Sequence, residues 1–177
     1  MKTIALIFFL AIFLLPVHAQ NTASTNARLQ IYVTKPDGSQ AVMTSEGLSV
    51  TYDQQKLLGE LMLNTLVTED AALSQILDSA LYDRITFSGT IPEGQFAFQS
   101  MMNARFSVET DLFYGDQKGR ILIDYDVSNR NTSLANTFNI TCTGSLSLAN
   151  DLGITRDLGI ADQVNFQYIQ NVQTKSY

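Results

Sequence analysis

Apolar and polar residues alternate along most of this chain. Residues 28–34 and 47–53 each follow a period of two, and the Pro-Asp-Gly sequence at 36–38 predicts a turn between them. This period is typical of a strand that buries one face and exposes the other. Residues 56–66 continue as a third strand, in which Gly59 marks either a bulge or a close backbone approach.

The period changes after residue 67. Apolar residues recur every three or four positions from Leu73 to Ala80, and two acidic residues follow Thr68. Thr is a good N-cap, and acidic side chains in the first turn interact favourably with the helix dipole. The pattern predicts one amphipathic helix over 69–81, the only helix expected after the N-terminal segment.

Alternation then returns and continues to the end of the chain. It covers five further segments, which are residues 83–91, 96–109, 120–127, 137–148 and 162–172. The chain therefore contains about eight strands, with the helix between the third and the fourth. An antiparallel barrel or a sandwich would close such a set of strands.

The N-terminal segment has the pattern of an export signal. Lys2 precedes an unbroken apolar run over residues 4–15, which is short for a membrane span, and small residues before Gln20 fit a cleavage site. We therefore expect residues 1–19 to be a signal peptide and the mature chain to begin at Gln20. The small polar residues that follow predict a disordered lead over 20–27.

The charge balance excludes some partners. Without residues 1–19 the chain has 10 Lys and Arg against 17 Asp and Glu, a net charge of −7, and no basic cluster. Nucleic acid is therefore not an expected partner, nor is an anionic membrane surface. No integral membrane span is expected in the mature chain. The sequence leaves the oligomeric state open, a homodimer included.

Catalytic and metal chemistry has little support in the composition. His18 is the only histidine and would leave with the signal, and Cys142 is the only cysteine. This excludes histidine-dependent nucleophilic sites, an intramolecular disulfide and the commonest zinc ligand sets. We expect Cys142 to be a buried apolar residue, and we expect no cofactor and no enzymatic activity.

Two carboxylate pairs could in principle act as an acid and base pair or hold a hard cation. Glu109 with Asp111, and Asp124 with Asp126, each lie on one face of an alternating strand. The opposite face is apolar in both strands. A solvated outer face of a sheet is therefore the favoured interpretation.

The apolar face of residues 96–108 is rich in Phe and Met. An ordinary hydrophobic core explains such a face. An eight-stranded barrel, however, either fills its interior with side chains or holds one small apolar ligand, and flexible Met and Phe side chains suit an adaptable wall. Periodicity alone favours a core over a cavity.

Three segments resemble the YceI-like family of lipid- and polyisoprenoid-binding proteins. They are "YDRITFSGTI" at 82–91, "NITCTGSLSLANDLGI" at 139–154 and "IADQVNFQYIQNV" at 160–172. The resemblance covers about residues 46–172. It identifies the first copy of the repeated tetrapeptide DLGI, at 151–154, as the end of a strand, and it places the second copy in a turn before the last strand.

The resemblance implies a domain over 28–177 that forms an eight-stranded antiparallel lipocalin-like barrel, closed at one end by the helix. It also implies an elongated apolar channel for a long isoprenoid or fatty chain, and the periplasm as location, with secretion as the alternative. The chain lacks the histidine and the aromatic-Gly-x-Phe turn that the family carries near its N-terminus, so no head-group contact is implied there. The expected wall residues are Phe87, Phe96, Phe98, Met102, Phe106, Ile123, Tyr125, Phe138, Ile140, Leu146 and Phe166.

Two function classes follow. The first is a carrier that holds an apolar lipid inside the barrel, and the second is a filled barrel that acts through its surface as an interaction or stress-associated domain. The volume of the interior discriminates between them. An outer-membrane barrel is disfavoured, because residues 170–177 lack the alternating apolar residues that a lipid-facing last strand requires.

Overall fold

Eight antiparallel strands close into a barrel in the computed structural model, which describes residues 22–53, 55–93, 103–132 and 135–174. Each strand pairs with the next along the chain, and the last pairs with the first, which leaves no open sheet edge. The predicted fold class is confirmed. The strands are β1 (Thr22–Thr34), β2 (Gln40–Asp53), β3 (Lys56–Met62), β4 (Arg84–Thr90), β5 (Ala104–Tyr114), β6 (Gln117–Thr132), β7 (Ala135–Ser147) and β8 (Gln163–Thr174).

Strand β1 begins earlier than its composition predicted. Folded structure was expected from Arg28, with a disordered lead before it, but β1 starts at Thr22 and pairs with β2 from that residue onward. Ala27 is buried in the barrel. Strand β1 extends this far because β2 is long enough to pair with its backbone N–H and C=O groups. Such backbone pairing does not require apolar side chains.

The first helix, α1 (Ala71–Asp78), lies between β3 and β4, as predicted, but it is shorter than the expected 69–81. Asp70 is the N-cap, not Thr68, because its carboxylate accepts the N–H groups of Ala72 and Leu73 at 3.0 and 3.1 Å. Lys35, in the connection between β1 and β2, forms an ion pair with the same carboxylate. This pair ties the start of α1 to the rim of the barrel.

A second helix, α2 (Leu148–Leu152), was not predicted. The hydroxyl of Ser147 caps it by accepting the N–H of Asn150, and Gly153 ends it with a φ of 67°. The first DLGI therefore ends a helix and not a strand, which corrects the interpretation from the resemblance. The second DLGI forms a turn in which the N–H of Gly159 donates to Asp157.

The connections that follow odd-numbered strands all lie at one end of the barrel, because the strands run alternately up and down. This end, which we call the helical end, carries α1 in the connection after β3 and α2 in the connection after β7. Thr22, where β1 begins, and Thr174, where β8 ends, lie at the opposite end. No helix in the described residues is both long and apolar enough to cross a membrane.

The carboxylate pairs lie on the outer face of the barrel, among basic residues. Asp126 pairs with Arg105 at 2.8 Å, and Asp111 pairs with Lys118 at 2.9 Å. Asp124 accepts the hydroxyl of Ser107 at 2.5 Å. These contacts run across neighbouring strands, so the carboxylates are part of the solvated face.

A polar layer crosses the middle of the barrel interior. The hydroxyls of Tyr125 and Tyr168 lie 2.8 Å apart, and the hydroxyl of Tyr52 donates to the amide oxygen of Gln170 at 2.8 Å. Burial raises the pKa of all three tyrosines well above the ordinary value, so the hydroxyls stay protonated. Cys142 lies against the same layer, and burial raises the pKa of its thiol too. We call these five residues the tyrosine layer.

Apolar side chains pack the barrel beyond this layer, toward the end opposite the helical end. Phe106 stacks on Tyr125, with ring centroids 5.1 Å apart and ring planes 1° from parallel. The most buried members of this cluster are Val50, Leu57, Ile140 and Val172, each 0% exposed. This half of the described interior is therefore a packed core.

The Tyr168→Phe variant tests the tyrosine layer. It removes one hydroxyl and leaves that of Tyr125 buried without this partner, so we expect the free energy of unfolding to fall by about 1–3 kcal/mol. Chemical denaturation measures the change. The matched control is Tyr32→Phe, which removes a hydroxyl that bonds Gln30 on the half-exposed outer face and should cost less than about 0.5 kcal/mol. Equal losses of unfolding free energy in the two variants would contradict a stabilising role of the tyrosine layer.

Candidate functional site

An apolar cavity of about 520 Å³ occupies the barrel between the tyrosine layer and the helical end. All eight strands contribute side chains to its wall. The volume lies within the range of about 300–1,000 Å³ that is typical of small-ligand sites. Leu29, Met43, Leu61 and Leu112 are representative of the wall, and each is buried.

The floor of the cavity is the tyrosine layer. Tyr168 is the member of the layer that lines the cavity, and its hydroxyl points into the hydrogen bond with Tyr125. The ring is 1% exposed. A ligand that enters from the helical end would therefore meet a hydrogen-bonded layer and could not continue into the packed half.

Helix α1 covers part of the helical end. Its apolar residues Leu73, Ile76 and Leu77 line the cavity, and the 3₁₀ turn Leu63–Thr65 adds Leu63. Leu63 is held by a backbone hydrogen bond to Asp83, which precedes β4. The amphipathic pattern that predicted the helix therefore also identifies the face that closes the barrel.

The connection between β7 and β8 covers another part of the helical end. Asp162 holds both of its ends together, because its carboxylate accepts the hydroxyl of Ser147 at 2.6 Å and the N–H of Ala149 at 2.8 Å. The hydrogen bond from Ser147 lowers the pKa of Asp162, so this carboxylate stays charged at neutral pH. Ile154 and Ile160, in the same connection, contribute apolar side chains to the cavity.

The mouth of the cavity lies between α1 and the β7–β8 connection. Leu81 lines the cavity and is nevertheless 79% exposed. Arg156 spans the mouth, since its Nη2 donates to the backbone oxygen of Ser79 at 3.2 Å and to its hydroxyl at 3.1 Å. Arg156 is the charged side chain among the described residues that line the cavity.

Four of the predicted wall residues line the cavity, namely Phe87, Ile123, Leu146 and Phe166. The ring of Phe87 lies over Gly59, where a Cβ atom would overlap it. The strand register continues through Gly59 without interruption, so this glycine marks a close approach and not a bulge. Gly144 makes room for Phe166 in the same way.

The other predicted wall residues do not line this cavity in the described structure. Tyr125 belongs to the tyrosine layer, and Phe106, Phe138 and Ile140 pack in the half beyond it. They share a barrel face with the wall residues but differ from them in depth along the barrel. Three further predicted residues, Phe96, Phe98 and Met102, lie outside the described residues.

The resemblance implied that the helix closes one end of the barrel, but the predicted wall residues included none from α1 or from the β7–β8 connection. The apolar face of α1 was visible in the sequence and could have been assigned to the cavity, because an amphipathic helix must cover an apolar surface. Arg156 carries no comparable signal, since it lies in a connection without periodicity. The described residues contain no group of three or more His, Cys, Asp or Glu side chains placed to hold a metal ion.

Comparison with known proteins supports the fold. No protein-family profile matches the chain, and no curated protein matches it in sequence. A polyisoprenoid binding domain from Saccharophagus degradans, implicated in plant cell wall breakdown, matches with a TM-score of 0.67 and 12% identity, over 89% of this chain and 99% of that one. Burkholderia cenocepacia BcnA matches with a TM-score of 0.56 and 11% identity, over 84% of this chain and 96% of that one.

These matches confirm the predicted resemblance at the level of the fold. At such low identity the ligand of a similar structure does not transfer with the fold, because function depends on the residues of the site.

Proposed function

We propose that this protein binds one apolar, chain-like lipid inside its barrel, with the chain in the cavity and its polar end at the mouth. The observation that carries the proposal is the cavity of about 520 Å³, which has an apolar wall and one accessible end. The fold shared with a polyisoprenoid binding domain supports the same class of ligand. Both an isoprenoid and a fatty chain belong to this class.

Burial of the chain supplies the binding energy. Transfer of each methylene group from water contributes about 0.8 kcal/mol, so a chain that fills the cavity needs few polar contacts. The wall is preformed by the strands, which limits the entropic cost of binding. The proposal therefore requires no catalytic group, and the protein would act as a binding or carrier protein.

The alternative of a filled barrel that acts through its surface has weaker support. It requires side chains to occupy the whole interior, whereas a cavity of about 520 Å³ lies between the tyrosine layer and the helical end. The volume and the apolar lining of this cavity are typical of a ligand site.

The Leu146→Trp variant tests the site. Leu146 lies on the cavity wall, so a larger side chain there would take space from the ligand. Displacing even two methylene groups would cost about 1.6 kcal/mol, or about fifteen-fold in affinity. We expect weaker binding of a neutral apolar dye, measured by fluorescence titration.

The matched control is Leu122→Trp on the outer face, where Leu122 is 54% exposed. It adds the same side chain outside the cavity and should leave dye binding unchanged. Circular dichroism checks that both variants fold. Dye binding that is equal in the two variants would refute this placement of the site, and failure of the unmodified protein to bind any apolar probe would refute the function.

The proposal includes export to the periplasm, or secretion beyond it. Its support is the charged start, the apolar run over residues 4–15 and the small residues before Gln20. N-terminal sequencing of the protein from its native host should read Gln20 first. A chain that retains residues 1–19 would contradict export by signal cleavage.

A further inference from the structure

Arg156 differs from most basic residues of the described chain in having no acidic partner. Five basic side chains form ion pairs, namely Lys35, Arg84, Arg105, Lys118 and Arg120. Within the described ranges, no carboxylate oxygen lies within 4.0 Å of Arg156. Arg28 and Lys56 share this property, but neither lines the cavity.

The contact with Ser79 fixes the position of Arg156 without using all of its donors. Ser79 follows the last residue of α1, where a cation interacts favourably with the helix dipole and the free carbonyl groups. Both hydrogen bonds come from Nη2. The guanidinium group has five N–H donors in a planar fork, so Nε and Nη1 still carry donors.

A planar guanidinium with free donors favours a particular class of ligand group. It binds carboxylates and phosphates through paired, charge-assisted hydrogen bonds, and it is weakly hydrated compared with an ammonium group. The chain as a whole has a net charge of −6, so this cation does not belong to a generally basic surface. Its location at the mouth of an apolar cavity places it where the polar end of a bound chain would lie.

The opposite end of the cavity limits the length of the chain. The tyrosine layer closes the floor, so the chain cannot extend into the packed half. If a methylene group occupies about the volume of a water molecule, about 30 Å³, the cavity of about 520 Å³ holds roughly 17 of them. This is the volume of one chain of about 15 to 18 carbons.

Taking the proposed lipid-binding function as the premise, we propose that the ligand is a single-chain amphiphile with an anionic head group, either a carboxylate or a phosphate. The head group binds Arg156 at the mouth, and the end of the chain lies against Tyr168. The cavity holds one chain of this length and not two, and chains much longer than about 18 carbons leave their excess in water.

Two sets of ligands test the head group and the length. Alkyl carboxylates, alkyl phosphates and uncharged alcohols of the same chain are titrated against the protein, in competition with a neutral apolar dye and below their aggregation concentrations. We expect both anionic series to bind tighter than the alcohols by about five-fold or more, and the tighter of the two identifies the head group. We expect affinity to rise about four-fold per methylene up to about 17 carbons and then to stay constant.

The Arg156→Gln variant separates the charge from the structural contact. Glutamine keeps an N–H donor but carries no charge, so we expect the preference for anionic head groups to disappear while alcohol binding stays within about two-fold. Arg105→Gln is the control, because Arg105 is a paired arginine on the outer face. It should leave all affinities unchanged.

Three results would overturn the inference. One is an equal loss of carboxylate and alcohol binding in Arg156→Gln, which would indicate a purely structural role. Another is equal affinity of the unmodified protein for the charged and uncharged series. The third is affinity that continues to rise well past about 18 carbons. In each case, binding of the dye and of the alcohols to the unmodified protein would still support the proposed function. Absence of binding by every apolar probe would refute both the proposed function and this inference.

Discussion

The hydrogen bond between the hydroxyls of Tyr125 and Tyr168 sets the depth at which the barrel interior changes in character. On one side, aliphatic residues and Phe106 pack against the rings. On the other side, apolar side chains from all eight strands line the cavity. Buried hydroxyls must be paired, and these residues satisfy one another across β2, β6 and β8, so the layer is held in one arrangement.

The shape of the cavity above its floor depends on the elements that close the helical end. Long connections after β3 and β7 place α1 and α2 at the same end, where the ion pair of Asp70 with Lys35 and the hydrogen bond of Asp162 with Ser147 anchor them to the rim. Both connections contribute apolar side chains to the cavity wall, and neither fills the interior. The resulting space is open where Arg156 and Leu81 meet the solvent. In the described part of the chain, the cavity has an apolar wall, a polar floor and a mouth with one cation.

The strand pattern could be predicted because a period of two is a local property of the chain. Depth along the barrel is not local, since it depends on the register and stagger of eight strands. Ile123 and Tyr125 are alternate residues of one strand face, yet one lines the cavity and the other belongs to the floor. Because the sequence pattern does not give depth, Phe87 and Leu146 were grouped with Phe138 and Ile140 as wall residues. Helix α2 was missed because a five-residue helix has too few turns to show a period, although Ser147 and Gly153 mark its ends.

The most direct test of the account is mass spectrometry of an organic extract from the protein, purified without denaturation from its native host. A ligand held mainly by burial dissociates slowly, so it should remain bound through purification. If the barrel holds a lipid, the extract contains one apolar chain-bearing molecule per barrel. An extract without any such molecule, from folded protein that also fails to take up an apolar probe, would contradict the lipid-binding proposal.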